Sequence, residues 1–237
     1  MGSMRGKTVY LTGATRGIGR AIAERLAGES LRLAICGRDA AAMQRVAEAI
    51  RARTTEPLYS AVFDLAHEDA IRTFCRDARS AVGPPDVLVN NAGYNSRKAP
   101  LSDVGTEEFD SIVAVNLRAP FIFMREVYGD MKERGGGHIV NVLSTVCHAS
   151  METMGAYTAA KAGLRALTDV FRKEVLPDAI RVTSVYPGGT NTAFRPEARE
   201  DYMRPESVAE AVWAALTLPE DLVVHELTFR PMVESNF

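Results

Sequence analysis

Residues 8–19 read TVYLTGATRGIG, an apolar, β-branched run that passes through three glycines into an amphipathic stretch reaching Ala27. A strand, a tight turn and a helix follow from that pattern. Gly13 permits the turn, while Gly17 and Gly19 allow a backbone and a ligand to come close. With Thr15, Arg16 and Ile18 between them, the loop reads either as a plain glycine turn or as a cradle for phosphate. Its place after the first strand and before a helix favours the cradle, because the helix-opening amides and the positive end of the helix dipole then face a pyrophosphate.

The same alternation continues outward. Strand-like runs at 31–36, 58–63, 87–93, 138–144, 180–188 and 225–231 alternate with helix-period segments at 39–52, 67–81, 107–133, 154–175 and 205–217. With the opening strand, this predicts an α/β chain of the Rossmann type: a doubly wound parallel sheet of about seven strands with helices on both faces. The strands are continuously apolar rather than alternating, as a sheet covered on both faces requires. No Pro/Ser-rich linker, charge run or repeat divides residues 1–237, so a single domain is expected. Met1-Gly2-Ser3 reads as an appended remnant before Met4.

Composition narrows the function. A net charge of -2 gives no electrostatic reason to expect nucleic acid or an anionic membrane as partner. The three cysteines, Cys36, Cys75 and Cys147, are scattered and show no metal-ligand spacing, which fits a reducing cytoplasm. No apolar run approaches the roughly 20 residues of a membrane span. The first strand begins too early for a signal peptide to precede it. A cytoplasmic protein without a metal site is expected.

In a doubly wound sheet, ligands bind beyond the carboxyl ends of the strands. Gly13–Gly19, Gly37-Arg38, Asp64-Leu65, Asn90–Gly93, Ser144 and Pro187-Gly188 end strands one to six in turn. Where an acid often holds a ribose 2′-hydroxyl, strand two ends in Gly37, followed by Arg38. An acid there would repel a 2′-phosphate, whereas an arginine fork pairs with it. Arg16 adds a second charge. Either arginine alone reads as a solvated surface group; together they favour NADP(H) over NAD(H). Asp39 either blunts that preference or caps the next helix.

Tyr157 and Lys161, in MGAYTAAKAGL (154–164), lie four positions apart and so share one helix face. With Ser144 and Asn116 upstream, they make the chain resemble the short-chain dehydrogenase/reductase family, in its small single-domain, NADP-preferring branch. The resemblance runs from TGATRGIG through NNAG (90–93) to YPGGTNT (186–192). It implies that Tyr157 is the general acid/base, Lys161 its partner on the ribose, Ser144 the carbonyl-binding hydroxyl and Asn116 the holder of a relay water. The physics agrees: a free phenol ionises near pH 10, roughly, and a neighbouring ammonium makes it more acidic. Asn116 also reads as a polar residue that kinks a helix, since an amide lowers helix stability relative to Ala.

The resemblance also implies that Asp64 and Leu65 flank the adenine and that the backbone at Asn90, Ala92 and Gly93 runs close to the adenine-ribose side; Asn90-Asn91 reads equally as a pair that only stabilises a turn. Pro187, Gly188, Thr190 and Thr192 would meet the nicotinamide carboxamide. The family usually has Asn before this Pro-Gly, and here it is Tyr186. The polar segment 191–204 occupies the place of the family's substrate lid, though a plain surface loop fits equally. Cys147, His148, Met151 and Met154 are candidates for the substrate wall, and Tyr94 and Arg97 could reach it. A homodimer or homotetramer acting on a small carbonyl or alcohol is implied. The alternatives are a dinucleotide-binding regulator without turnover and a nucleotide-sugar epimerase or dehydratase. A serine hydrolase fits poorly, because Ser144 lies in LST rather than a G-x-S-x-G elbow.

Overall fold

The computed structural model describes residues 4–194 and 197–235. Arg195 and Pro196, inside the expected lid segment, and Met1–Ser3 lie outside the described residues. Seven strands form one parallel sheet in the order β3-β2-β1-β4-β5-β6-β7. They are β1 (Thr8–Thr12), β2 (Arg32–Gly37), β3 (Leu58–Val62), β4 (Val87–Asn90), β5 (Gly137–Val142), β6 (Ile180–Pro187) and β7 (Glu226–Phe229). The chain order reverses beside β1, whose Val9 pairs with Leu33 of β2 on one side and Val87 of β4 on the other. Such a reversal opens a crevice above the strand ends.

Alternating side chains on each strand feed two cores. Val9 and Leu11 of β1 pack with α1 (Gly17–Leu26), α2 (Ala40–Arg51) and α7 (Pro205–Leu216). Tyr10 of the same strand points the other way, into the core shared with α3 (Glu68–Val82), α5 (Ala119–Glu133) and α6 (Gly155–Val175). There Phe74 is ringed by Tyr10, Tyr59, Phe63 and Phe123 at 5.6–5.9 Å between ring centres. Truncating such a ring to Ala costs about 3–5 kcal/mol.

The helix expected over 107–133 is interrupted. It runs as α4 (Thr106–Val113), a π-helical turn at Ala114–Arg118 and then α5. Asn116 sits in that turn, where its Nδ2 donates to the Ile112 carbonyl at 2.9 Å. A side chain bonding to backbone competes with the helical ladder and widens it. At α2, Asp39 acts as the cap, its Oδ1 accepting the Ala42 N–H at 2.9 Å. No helix among the described residues is long and apolar enough to cross a membrane.

Candidate active site

A crevice of about 620 Å³ opens above the carboxyl ends of the strands. One end is the glycine loop. Gly13 takes a positive φ of 72°, which lets β1 turn at once into α1. The space over Gly19 is filled by the Gly13 carbonyl and the Asn91 side chain, so that glycine closes the loop on itself. Asn91 is the fastener: its Nδ2 donates to the Thr12 carbonyl at 3.0 Å and the Gly13 carbonyl at 3.3 Å. Thr12 Oγ1 in return accepts the N–H groups of Asn91 (3.1 Å) and Ala92 (3.0 Å).

That arrangement gives the Asn90-Asn91 pair the turn-stabilising role that was its alternative reading. Asn90 is buried away from the crevice, its Nδ2 bonded to Asn141 Oδ1 at 2.9 Å. Asn91 takes its place on the wall beside Ala92 and Gly93. Side chains alternate along an extended segment, so only one of two adjacent asparagines can face the opening.

The end of the crevice above β2 and β3, where adenine is expected, is bounded by Thr15, Arg16, Ile18, Gly37, Arg38, Asp64 and Leu65, and Phe63 joins them unforeseen. Arg16 and Arg38 are both exposed. Arg38 lies 3.9 Å from Asp64, a loose surface pair. Asp64 Oδ1 also accepts the Ala66 N–H at 2.9 Å.

Ser144, Tyr157 and Lys161 line the other end. Ser144 follows β5 and opens a 3-10 turn (Thr145–Cys147), its Oγ accepting the Val146 N–H at 3.3 Å. Tyr157 and Lys161 stand one turn apart in the first half of α6 and are both buried. The Lys161 ammonium lies 5.9 Å from the Tyr157 ring centre and donates to the Val142 carbonyl at 2.9 Å. Burial, opposed in part by the Cys147 sulfur, lowers Lys161 to about 8. Phe194 also packs against Tyr157, with ring centres 5.5 Å apart and the rings tilted.

Asn116 stands behind this wall. Beyond its bond to Ile112, its Nδ2 donates to the Tyr94 carbonyl (2.8 Å) and its Oδ1 accepts the Tyr94 N–H (3.2 Å). A Cβ on Gly93 would lie 2.7 Å from Asn116 Oδ1 and 3.3 Å from Lys161 Nζ, so all three residues meet at one corner.

The substrate-wall candidates divide. Tyr94, Met151 and Met154 line the crevice. Cys147 is half-buried beside Arg165, which donates to its carbonyl. His148 packs at a tilt against Tyr186 with ring centres 4.4 Å apart and meets Thr228 Oγ1 at 3.3 Å. Arg97 turns to the Asp103 carbonyl and Glu108. Tyr186, in the position of the expected Asn, is fully buried and donates to Glu226 Oε1 at 3.0 Å.

Pro187, Gly188, Thr190 and Thr192 lie where the glycine loop and this end meet. The described part of the expected lid begins with Asn191, whose N–H donates to the Met203 carbonyl at 2.8 Å. Arg230 and Glu234 also line the crevice and were missed. The rule that directs attention to the carboxyl ends of strands one to six applies equally to the seventh, which ends at Phe229.

The sequence pattern of a short chain dehydrogenase matches residues 7–203. The chain belongs to the short-chain dehydrogenase family. Among its relatives, an uncharacterized oxidoreductase of Staphylococcus saprophyticus is 28% identical over 236 residues, covering 98% of this chain and all of the relative. A metagenomic short-chain oxidoreductase solved in complex with NADP superposes with a TM-score of 0.87 at 32% identity, covering 98% of this chain and 99% of that one. A 3-ketoacyl-(acyl-carrier-protein) reductase of Brucella melitensis, solved with NADH, gives 0.87 at 29% identity, covering 97% and 99%. Family membership makes the chain an oxidoreductase of Rossmann architecture.

Proposed function

We propose that this short-chain dehydrogenase is an NADP(H)-dependent enzyme that interconverts a carbonyl compound and a secondary alcohol. The observation that carries the reading is the placing of Ser144, Tyr157 and Lys161 at one end of a crevice whose other end is the glycine loop. The crevice fits a dinucleotide: a turn without side chains at Gly13, amides at the start of α1 and two arginines at the adenine end. When bound, the nicotinamide supplies or accepts the hydride.

The protein's own groups do the rest. Ser144 Oγ and Tyr157 Oη donate hydrogen bonds to the carbonyl oxygen as negative charge grows on it. Tyr157 delivers the proton in reduction and removes it in oxidation. The Lys161 ammonium stabilises the phenolate through charge and is held in place by the Val142 carbonyl. Asn116 fixes the Tyr94 backbone beside this corner, and the relay water is assigned to it on family resemblance.

Preference for NADP(H) over NAD(H) is supported by Gly37, Arg38 and Arg16, and by the Asp39 carboxylate being tied to its own helix. Exposed Phe109, Phe121, Leu167 and Val170 on α4, α5 and α6 support a homodimer or homotetramer. A cytoplasmic setting is in keeping with free thiols at Cys36, Cys75 and Cys147.

The test is a panel of ketones, aldehydes and secondary alcohols followed by NADPH absorbance. Tyr157→Phe is expected to lower turnover by about 10²–10⁴-fold while NADPH still binds. Unchanged turnover would remove Tyr157 as the acid.

A further inference from the structure

The segment after β7 folds back over the crevice. Its Arg230 and Glu234 side chains are only 9% and 15% exposed. A turn, closed by the Glu234 N–H on the Pro231 carbonyl at 3.1 Å, brings the two onto the wall beside Gly188 and Gly189. Glu234 Oε1 accepts the Gly189 N–H at 3.0 Å, and its Oε2 lies 3.5 Å from Arg230 Nη1. The Gly188 N–H donates to the Phe229 carbonyl at 2.9 Å. Both amides that follow Pro187 are therefore held by the C-terminal segment.

The two glycines are shaped to that hold. A Cβ on Gly188 would stand 2.6 Å from Glu234 Oε2 and 3.0 Å from Arg230 Cγ. One on Gly189 would stand 2.7 Å from Glu234 Oε1 and collide with the Tyr202 ring. On the far side, the Met203 N–H donates to the Gly189 carbonyl at 3.1 Å. Thr190, next along, has its Oγ1 donating to the Gly188 carbonyl at 3.1 Å. The loop is gripped from both sides, and among the described residues the charged acceptor in the grip is Glu234. A carboxylate accepting a backbone N–H makes a stronger bond than a neutral acceptor, roughly twofold.

We propose that Glu234 is a positioning residue: its carboxylate, oriented by Arg230, sets the Gly188–Thr190 backbone in the geometry that receives the nicotinamide end of the cofactor. The proposal rests on the dinucleotide reading above. It separates the two ends of the bound molecule, because Glu234 acts where the nicotinamide would lie and the adenine is held by other residues.

Titration of wild type, Glu234→Ala and Glu234→Gln with NADPH, NADH, adenosine 2′,5′-bisphosphate and AMP tests it. In Glu234→Ala the better-bound dinucleotide is expected to lose about tenfold in affinity, the size of one charge-assisted hydrogen bond, while its adenine half binds as before. Glu234→Gln keeps an oxygen for the Gly189 N–H and should recover most of the loss. Hydrogen exchange over residues 186–192 of the cofactor-free protein should quicken in Glu234→Ala. Equal losses for dinucleotide and adenine half, no loss for either, or unchanged exchange would overturn the proposal. A wild-type protein that bound neither dinucleotide would instead remove the oxidoreductase reading, and the positioning role with it.

Discussion

Strand β5 has a buried base near each end. At its amino end His138 is 2% exposed, its Nε2 paired with Thr183 Oγ1 at 2.8 Å and its Nδ1 without a partner among the described residues. At its carboxyl end the Val142 carbonyl accepts Lys161, also 2% exposed. Burial lowers both, His138 to about 3, where Arg181 and Lys7 add to the effect, and Lys161 to about 8. Neither base is paired with a carboxylate in the hydrogen bonds and ion pairs described. What separates them is the surroundings: Lys161 borders a crevice with Tyr157 and Ser144, whereas His138 is enclosed between strands. A displaced pKa marks burial; a function needs an opening and neighbours as well.

The sharpest way to break that contrast is Lys161→Met. Turnover is expected to fall by about 10²–10⁴-fold, the usual worth of acid–base assistance. Stability should move the other way. A base lowered from its ordinary value of 10.5 to about 8 destabilises the fold fully below pH 8, and the penalty is relieved as pH rises from 8 to 10.5. At neutral pH that is about 3 kcal/mol, so the cofactor-free variant should melt several degrees higher. A variant that kept its activity would mean that the ammonium is not needed at the site, and one that melted lower that it is not held there at a cost.

His138→Gln asks the same question of the other end. The folded protein keeps this imidazole neutral down to about pH 3, while the unfolded chain takes up its proton near 6.5. The unfolded state therefore binds more protons between those values, and stability drops as pH falls through 6.5. Between pH 7 and pH 4 the loss assigned to His138 is about 3 kcal/mol. Denaturant midpoints at the two pH values should draw together in His138→Gln, with turnover at pH 7 unaltered. Midpoints that stayed as far apart as in wild type would assign acid sensitivity to other groups.

The two ends also differ in how much of each could be read from the sequence. Tyr157 and Lys161 were legible because a helix imposes their common face, and the seven strands because parallel burial leaves continuous apolar runs. The choice between Asn90 and Asn91 turned on strand phase; the kink at Asn116 was readable, but not its bonds to the Tyr94 backbone, which lies 22 positions away. Glu234 meets Gly189 across 45 positions, a contact that no local pattern encodes. His138 looked like one more residue of an apolar strand. Its significance comes from Thr183 on the neighbouring strand and from complete enclosure.

A smaller effect concerns the arginines at the two ends. Arg38 is loosely paired with Asp64, 3.9 Å away, and exposed. At the opposite edge, Arg134 is bonded to Asp86, whose other oxygen accepts the Thr8 N–H at 2.7 Å. An arginine already engaged cannot serve a ligand, while a loosely held one can exchange its partner for a phosphate. Arg38→Asp is expected to lower the NADPH-over-NADH ratio of kcat/KM by about tenfold. An unchanged ratio would remove Arg38 from 2′-phosphate recognition.

The smallest expected change is at the amino-end edge, in Tyr10→Phe. Tyr10 Oη donates to the Gly83 carbonyl at 3.0 Å, and its ring packs edge-on against Phe74. Phenylalanine keeps the ring contact and deletes only the hydrogen bond, worth about 1 kcal/mol. In a chain of 237 residues that corresponds to about 2–4 °C in melting temperature. Dinucleotide affinity and turnover should not move, because β1 reaches the glycine loop through Thr12, two residues further along, whose bonds to Asn91 and Ala92 are untouched. A change in affinity larger than the loss of stability would show that strain at the amino-end edge travels along β1 to the crevice, and that the two ends of the sheet are one mechanical unit.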